Sequence, residues 1–482
     1  MSLQSVGDLS FDFLPSRPVE LEISDSPLSS DAGLLPIRQL DERLRFTEQF
    51  AGALQDPRQT RFTRHSLLEM VRQRIYGILA DYEDQNDHDT LRSDPVFKLV
   101  AGRSPDDDPL ASQPTLSRFE NCVSISDLWR LRDVLVDSFI QSFQTPPTRL
   151  TLDVDAFDDP THGRQQLTMF HGYYEQYQYL PIAFTCAEND AVLLVGLRHG
   201  TCHAALGADD DLRYLAGRLR AVWPDVQLHL RGDSGFGIPM MYNVCEELRV
   251  SYTFGLGMNA RLKALSQPLL SLAEAAYAEI GVPQRLFQPE LYQADSWPTA
   301  RQVVIKVEVH AQGTNRRAVV TNRPGWTVLP SAVYEEYAER GESENRNKEL
   351  KRELSADRLS DHRFLANFFR LHLHAAALNL LVRLRRLVTS GPFTPLELGV
   401  VNSLPAQALP ERDRKRYFNR RRDADPLGEG FGCTWRTRLI KVAAEVITRA
   451  RRVIVRLSAS WPHLEHFRKV GELVRQLPTP SG

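Results

Sequence analysis

The sequence predicts a mixed α/β protein with helical flanks, on three observations. LTLDVDAF (150–157) alternates apolar and acidic residues, as a strand does when its carboxylates share one face. VQLHLRGDSGFG (226–237) reads as a strand running into a Gly-rich turn, with a helix expected from about Pro239 to Leu248. Helical periodicity fills the sequence on both sides: Leu67, Leu68, Val71, Ile75 and Leu79 recur at turn spacing, and Ala332 to Arg386 is strongly helical. Strand, hairpin, helix, strand, helix is the order of an α/β unit.

Each element follows in order. Residues 1–35 are rich in Ser, Pro, Asp and Leu without sustained periodicity and read as an arm. From Leu40 to Tyr82 and from Thr115 to Ser142 the apolar spacing is helical, with SPDDDP (104–109) as a loop between. Arg64, Arg72, Arg74 and Arg118 on these short helices are candidates for reading DNA, beside the plain alternative of a helical packing domain. After Pro146–Pro147 come the first strand, the turn DDPTHG, and strand-like stretches at 170–186 and 191–197. RQVVIKVEVHAQGTNRRAVVTN (301–322) is a hairpin turning at QGTN, with Val303, Ile305, Val307 and Val309 on one face. The segment 255–330 is therefore expected to be a β-rich insertion in the α/β unit.

A length of 482 residues suggests two to four units, and 42% hydrophobic with 25% charged residues suits a chain that buries a sizeable core. No secretory signal opens the sequence, and no apolar run approaches the ~20 residues that crossing a membrane requires. Cys122, Cys186, Cys202, Cys245 and Cys433 are scattered and never form CxxC, which argues for a reducing, cytoplasmic setting and against a thiolate zinc site. Net charge is −2, yet between Arg383 and Arg456 there are 17 Lys/Arg against 7 Asp/Glu. Such a local excess suits a phosphate backbone, and RDRKRYFNRRR (412–422), with Arg414, Lys415 and Arg416, is its densest run.

Phosphoryl transfer on two metal ions needs carboxylates converging on one point, where hard oxygens hold Mg²⁺ ions about 4 Å apart. Asp153 and Asp155 share a strand face, and Asp233 ends the next expected strand of this kind. In YAERGESENRNKELK, Tyr337, Arg340, Glu344 and Lys351 stand at offsets 0, 3, 7 and 14. At ~100° per residue these fall within about 60° of one another, a single helix stripe. That stripe sets one carboxylate between two phosphate-binding cations, with Glu342 and Glu349 turned away.

Tyr, two residues, Arg, three residues, Glu, six residues, Lys resembles the signature of bacterial insertion-sequence transposases of the YREK group. LDVDAFDDPTHGRQ resembles the first-aspartate strand of that group, RGDSGFG the second, and 357–381 the helix after the signature, so the likeness runs from about Thr115 to Pro462. The resemblance implies an RNase H-like α/β catalytic core interrupted by the β-rich insertion, with helical N-terminal and C-terminal regions. It implies a metal-binding triad of Asp155, Asp233 and Glu344, using Mg²⁺ with Mn²⁺ as substitute. Tyr337, Arg340 and Lys351 would hold DNA, and a homodimer would act on terminal inverted repeats and target DNA. The implied reaction frees a 3′-OH at the element end, and that hydroxyl then attacks target DNA in line without a covalent protein intermediate. The expected divisions are 1–35 arm, 36–145 helical DNA-binding domain, 146–254 first part of the core, 255–330 insertion, 331–390 second part of the core, and 391–482 basic C-terminal region.

Many relatives have Asp-x-Thr at the first aspartate, whereas this sequence has Asp155-Ala156-Phe157, so Asp153 stands as an alternative first ligand. Asp158 and Asp159 read as turn residues, and His372 and His374 as packed. Trp297 reads first as core, with stacking on a displaced base, worth about 1–3 kcal/mol, as the role the resemblance implies for an insertion aromatic. GDSGFG lacks the G-x-S-x-G pattern, which argues against a serine-hydrolase elbow at Ser234. Two other functions fit the same residues: a nuclease that cuts without joining, and a non-catalytic DNA-binding relative.

Overall fold

The computed structural model describes residues 9–11, 13, 17, 19–21, 25–325, 328–389 and 431–478. At its centre is an eight-stranded sheet made of β1 (Arg149–Ala156), β2 (Ile182–Cys186), β3 (Val192–Gly196), β4 (Gln227–Gly232), β5 (Ser251–Leu256), β6 (Gln284–Tyr292), β7 (Arg301–His310) and β8 (Gly313–Thr321). Their order across the sheet is β6-β7-β8-β5-β4-β1-β2-β3. β1 runs antiparallel to β2 and β2 to β3, while β1, β4 and β5 are mutually parallel. Parallel neighbours need crossovers, which α1 (Ala208–Val222, reached after β3) and α2 (Pro239–Glu247, between β4 and β5) supply.

The period of two along β1 sorts its side chains. Leu150, Leu152 and Val154 enter the apolar core with Leu212, Leu215 and Leu219 of α1 and Met241 and Tyr242 of α2. Thr151, Asp153 and Asp155 take the opposite face, where the chain after β8 lies: α3 (Pro330–Ala338) and α4 (Arg340–Lys348). The alternation that marked this strand in the sequence therefore points its acids away from the core.

Among its described residues the segment 255–330 holds three long strands and two helices. It contains helices Ala260–Leu265 and Gln267–Ile280, and its strands β6–β8 extend the central sheet, β8 pairing with β5. Pro268 at the start of the second helix and Gly281 in the left-handed conformation (φ 65°) at its end are ordinary start and stop signals.

N-terminal helices pack on the long helix α5 (Phe364–Thr389), with Leu67–Leu79 lying against it. α5 is long and apolar enough to cross a membrane by length and composition, contrary to the expectation that no run approached that limit, but 94% of the relevant window is buried inside the protein. His372 and His374 are buried there, and burial pushes them down to about 4 and about 3. Arg72 and Arg74, candidates for reading DNA, are also interior: Arg74 donates to Glu120, which Arg370 of α5 grips from the other side, and Arg72 donates to Thr47 at 3.1 Å. Burying a guanidinium requires such partners. The described C-terminal residues return to the N-terminal end of the fold. A hairpin, Ala444–Arg449 with Arg452–Leu457, pairs with Leu28–Ser29, so residues 25–35 are built into the fold and not a loose arm.

Candidate active site

The register between β1 and β4 pairs Asp153 with Arg231 and Val154 with Gly232, so the next residues, Asp155 and Asp233, end up side by side where the two strands finish. Asp233 begins a tight turn and accepts a hydrogen bond from the Gly235 amide at 2.9 Å. Glycine is required nearby: a Cβ on Gly255 of β5 would lie 2.7 Å from the Tyr337 hydroxyl and 2.9 Å from the Ser234 nitrogen. The absence of side chains lets β5, the Asp233 turn and α3 close on one another.

Tyr337, Arg340, Glu344 and Lys351 do not occupy one continuous helix. α3 ends at Ala338, α4 starts at Arg340, and a π-helical turn follows over Glu349–Glu353. The extra residue per turn swings Lys351 toward the loop after β1, where its Nζ donates to Asp158 Oδ1 at 2.5 Å. Glu349 faces away, as the helical arithmetic expects, fully buried between Arg346 and Arg385. Arg340 reaches over the strand ends. Its Nη1 is 3.7 Å from Asp155 Oδ2, its Nη2 is paired with Glu344, and its Cζ lies 6.0 Å from the Tyr337 ring centroid. Asn347, one turn beyond Glu344, donates to Asp155 Oδ2 at 2.9 Å.

Burial pushes the Asp155 carboxyl up to about 6, with Asp233 adding to the rise and Arg340 and Asn347 opposing it. Arg340 is held above its ordinary value despite burial, because Asp155, Tyr337 and Glu344 surround it. Two carboxylates in a half-buried site, balanced by one guanidinium, form a centre built to accept positive charge.

The structure thus brings Asp155, Asp233, Tyr337, Arg340 and Glu344 together. Asp153 is committed elsewhere: Arg231 grips both its oxygens at 2.7 Å, and the pair is buried. Trp297 is 5% exposed, edge-on to Tyr242 and Tyr292, with Arg301 near its ring, so the base-stacking role has no open ring face there. Asp159 is not a plain turn residue, since Asp159–Pro160 pairs with Gln178 and Tyr179 and its side chain is fully buried. Arg414, Lys415 and Arg416 lie outside the described residues. Sequence reasoning missed Asn347, although its offset of ten from Tyr337 keeps it near the same stripe at ~100° per residue. It also missed Arg231, which the period of two places on the Asp233 face of β4.

Residues 11–397 match the family described as Transposase DDE domain group 1. The chain belongs to this family of DDE transposases. No curated protein matches it. Among solved structures, a piggyBac transposase synaptic complex with hairpin DNA aligns over 74% of this chain and 77% of that one, at 13% identity and a TM-score of 0.37, a likeness too slight to transfer any residue role.

DDE transposases generally use divalent metals, and the donors in this transposase fit one: Asp155 and Asp233 offer adjacent hard oxygens, and the Asp155 carboxyl, raised by burial and further by Asp233, is one whose charged form a bound cation would favour. Among the described residues no three acidic, His or Cys side chains converge closely enough to hold an ion, and Glu344 is paired with Arg340. The Glu344 side chain is 45% exposed, at the open side of its pair with Arg340.

Proposed function

We propose that the chain is a cut-and-paste DNA transposase of the YREK-signature group of bacterial insertion sequences, acting in the cytoplasm as a homodimer on terminal inverted repeats and target DNA. The observation that carries this reading is the meeting of Asp155 and Asp233 at the ends of adjacent parallel strands beneath the Arg340–Glu344 pair. An RNase H-like core over 146–254 and 331–390, interrupted by 255–330, is supported by the antiparallel run β3-β2-β1 continued by parallel β4 and β5. Free cysteines support the cytoplasmic setting.

Asp155, Asp233 and Glu344 would hold Mg²⁺ or Mn²⁺, which supplies activation of the attacking oxygen and stabilisation of the leaving one. Arg340 exchanges its carboxylate partners for a DNA phosphate and so releases Glu344. Tyr337 holds the Arg340 guanidinium in place, and Asn347 orients Asp155. Lys351, on Asp158 in the absence of DNA, provides a second cation for the backbone. Asp153, kept by Arg231, braces β1 against β4.

The test is incubation of the protein with the terminal DNA of its element, in Mg²⁺ and in EDTA, beside Glu344→Ala. Metal-dependent 3′-OH ends that join a target plasmid, absent in the variant, are expected. Cut but unjoined products would make the protein a nuclease, and binding without cutting in Mg²⁺ or Mn²⁺ would make it a non-catalytic relative.

A further inference from the structure

Away from the carboxylates, the N-terminal helical region holds a cavity of about 330 Å³ with Arg58, Arg64, Arg92 and Arg118 in its lining and no acidic residue among the lining side chains. It lies between the segment around residues 58–65, the turn at Arg92 and the start of the helix Gln113–Asn121. Arg58 and Arg64 are each paired with a carboxylate outside the lining, Asp56 at 2.7 Å and Asp108 at 2.9 Å. Arg92 and Arg118 have no carboxylate partner among the described residues; the one polar contact of the Arg118 guanidinium is Thr115 Oγ1 at 3.3 Å. The Ser112 hydroxyl, in the capping position of that helix, makes no capping bond and sits 3.2 Å from Thr115 Oγ1. The helix amides contribute little, since the Gln113 amide is taken by Asp89 and residue 114 is proline. Guanidiniums and hydroxyls therefore make the site.

Two guanidinium-bearing residues without carboxylate partners in the lining of one cavity leave a positive potential that favours an anion there. Planar forks of donors beside the Ser112 and Thr115 hydroxyls match the tetrahedral oxygens of a phosphate. We propose that this cavity is a phosphate-binding site that grips the backbone of duplex DNA, with Arg92 and Arg118 as its principal cations. The inference rests on the transposase reading for the source of the phosphate and places a DNA contact on the N-terminal helices, apart from the carboxylates. Phe62, 73% exposed on the cavity rim with Arg61 over its ring, extends the same surface.

The test measures binding of a fluorescein-labelled duplex in EDTA across a salt series, for wild type, Arg92→Ala/Arg118→Ala, the corresponding double Lys variant, and Asp233→Asn. The double Ala variant should bind about tenfold or more weaker, with the slope of log K against log salt shallower by about 2, as two lost phosphate contacts require. Its thermal unfolding should match wild type, the double Lys variant should recover most of the slope, and Asp233→Asn should keep it. An unchanged slope in the double Ala variant overturns the proposal. Inorganic phosphate that stabilises wild type and not the double Ala variant, while the DNA slope stays unchanged, would assign the cavity to free phosphate and overturn the duplex as occupant. Loss of cleavage in Asp233→Asn with binding intact separates the catalytic reading from this one, whereas a wild type that does not bind duplex at all removes the transposase reading first.

Discussion

Arg340 stands between Asp155 and Glu344: one guanidinium nitrogen is 3.7 Å from Asp155 Oδ2 and the other is paired with Glu344. In the proposed mechanism this guanidinium would compete with a metal ion for the carboxylates when DNA is absent, and would hold phosphate when DNA is bound. Arg340→Gln should therefore change two quantities in opposite directions. Mn²⁺ binding by the DNA-free protein should tighten about fivefold, since a partly exposed charge contact contributes roughly 1 kcal/mol. Strand cleavage should fall roughly 10²-fold, the scale for removing one well-placed donor from a developing anion. Titration by electron paramagnetic resonance reads the first effect and a nicking assay the second; weaker Mn²⁺ binding in the variant would refute the competition.

Asp155 makes stability depend on pH. Its carboxyl is pushed up to about 6 in the folded protein, from an ordinary value of 3.8. Between those values the folded state holds a proton that the unfolded state has lost, so stability falls as pH rises through this window and the penalty is complete above about 6. Asp155→Asn removes the charge and keeps an oxygen to accept from Asn347. In EDTA it should melt several degrees above wild type at pH 7.5, with a much smaller difference at pH 4.5, reflecting up to about 3 kcal/mol at 1.36 kcal/mol per pK unit. Scanning fluorimetry from pH 4 to 8 decides it, and a variant no more stable at pH 7.5 would mean that the Asp155 charge is already balanced by its neighbours.

The Asp153–Arg231 pair predicts which aspartate matters for chemistry. Arg231→Leu leaves Asp153 buried without its partner and should cost about 3–5 kcal/mol, while replacing both by leucine should recover most of that loss. Asp153→Asn should lose stability yet keep metal-dependent cleavage per folded molecule; Asp155→Asn should lose cleavage. Denaturant unfolding and a nicking assay on the same preparations test this, and the reverse pattern would move the first ligand to Asp153.

The site is legible in the sequence where short-range periodicity governs it. Alternation along 150–157 puts Asp153 and Asp155 on one face, and turn spacing couples Arg340 to Glu344. What escapes depends on distant partners. Arg74 reads as a surface cation because Glu120, 46 residues away, and Arg370, 250 residues from Glu120, are what bury it. The π-helical turn that carries Lys351 begins at Glu349, where Arg346 and Arg385 close on its carboxylate, and residue 385 is 36 positions away. Equally, nothing local in β6–β8 says that they continue the central sheet; the pairing of β8 with β5 decides it.

Trp297 separates packing from recognition. Its ring lies 5.2 Å from Tyr242 and 5.5 Å from Tyr292, both edge-on, with the Arg301 guanidinium 5.9 Å away. Truncating a ring packed this way leaves a large cavity, so Trp297→Ala should cost about 3–5 kcal/mol without DNA, and Trp297→Phe, which keeps an aromatic core, considerably less. A stacking residue would give the opposite signature: little change in stability and loss of an unstacked-base signal at the DNA end. The expected result is that Trp297→Phe lowers the melting temperature while 2-aminopurine fluorescence at the terminal nucleotides stays at its wild-type level. A phenylalanine variant as stable as wild type with a changed 2-aminopurine signal would show that this ring leaves its pocket when DNA binds, and that the packed arrangement belongs to the DNA-free protein alone.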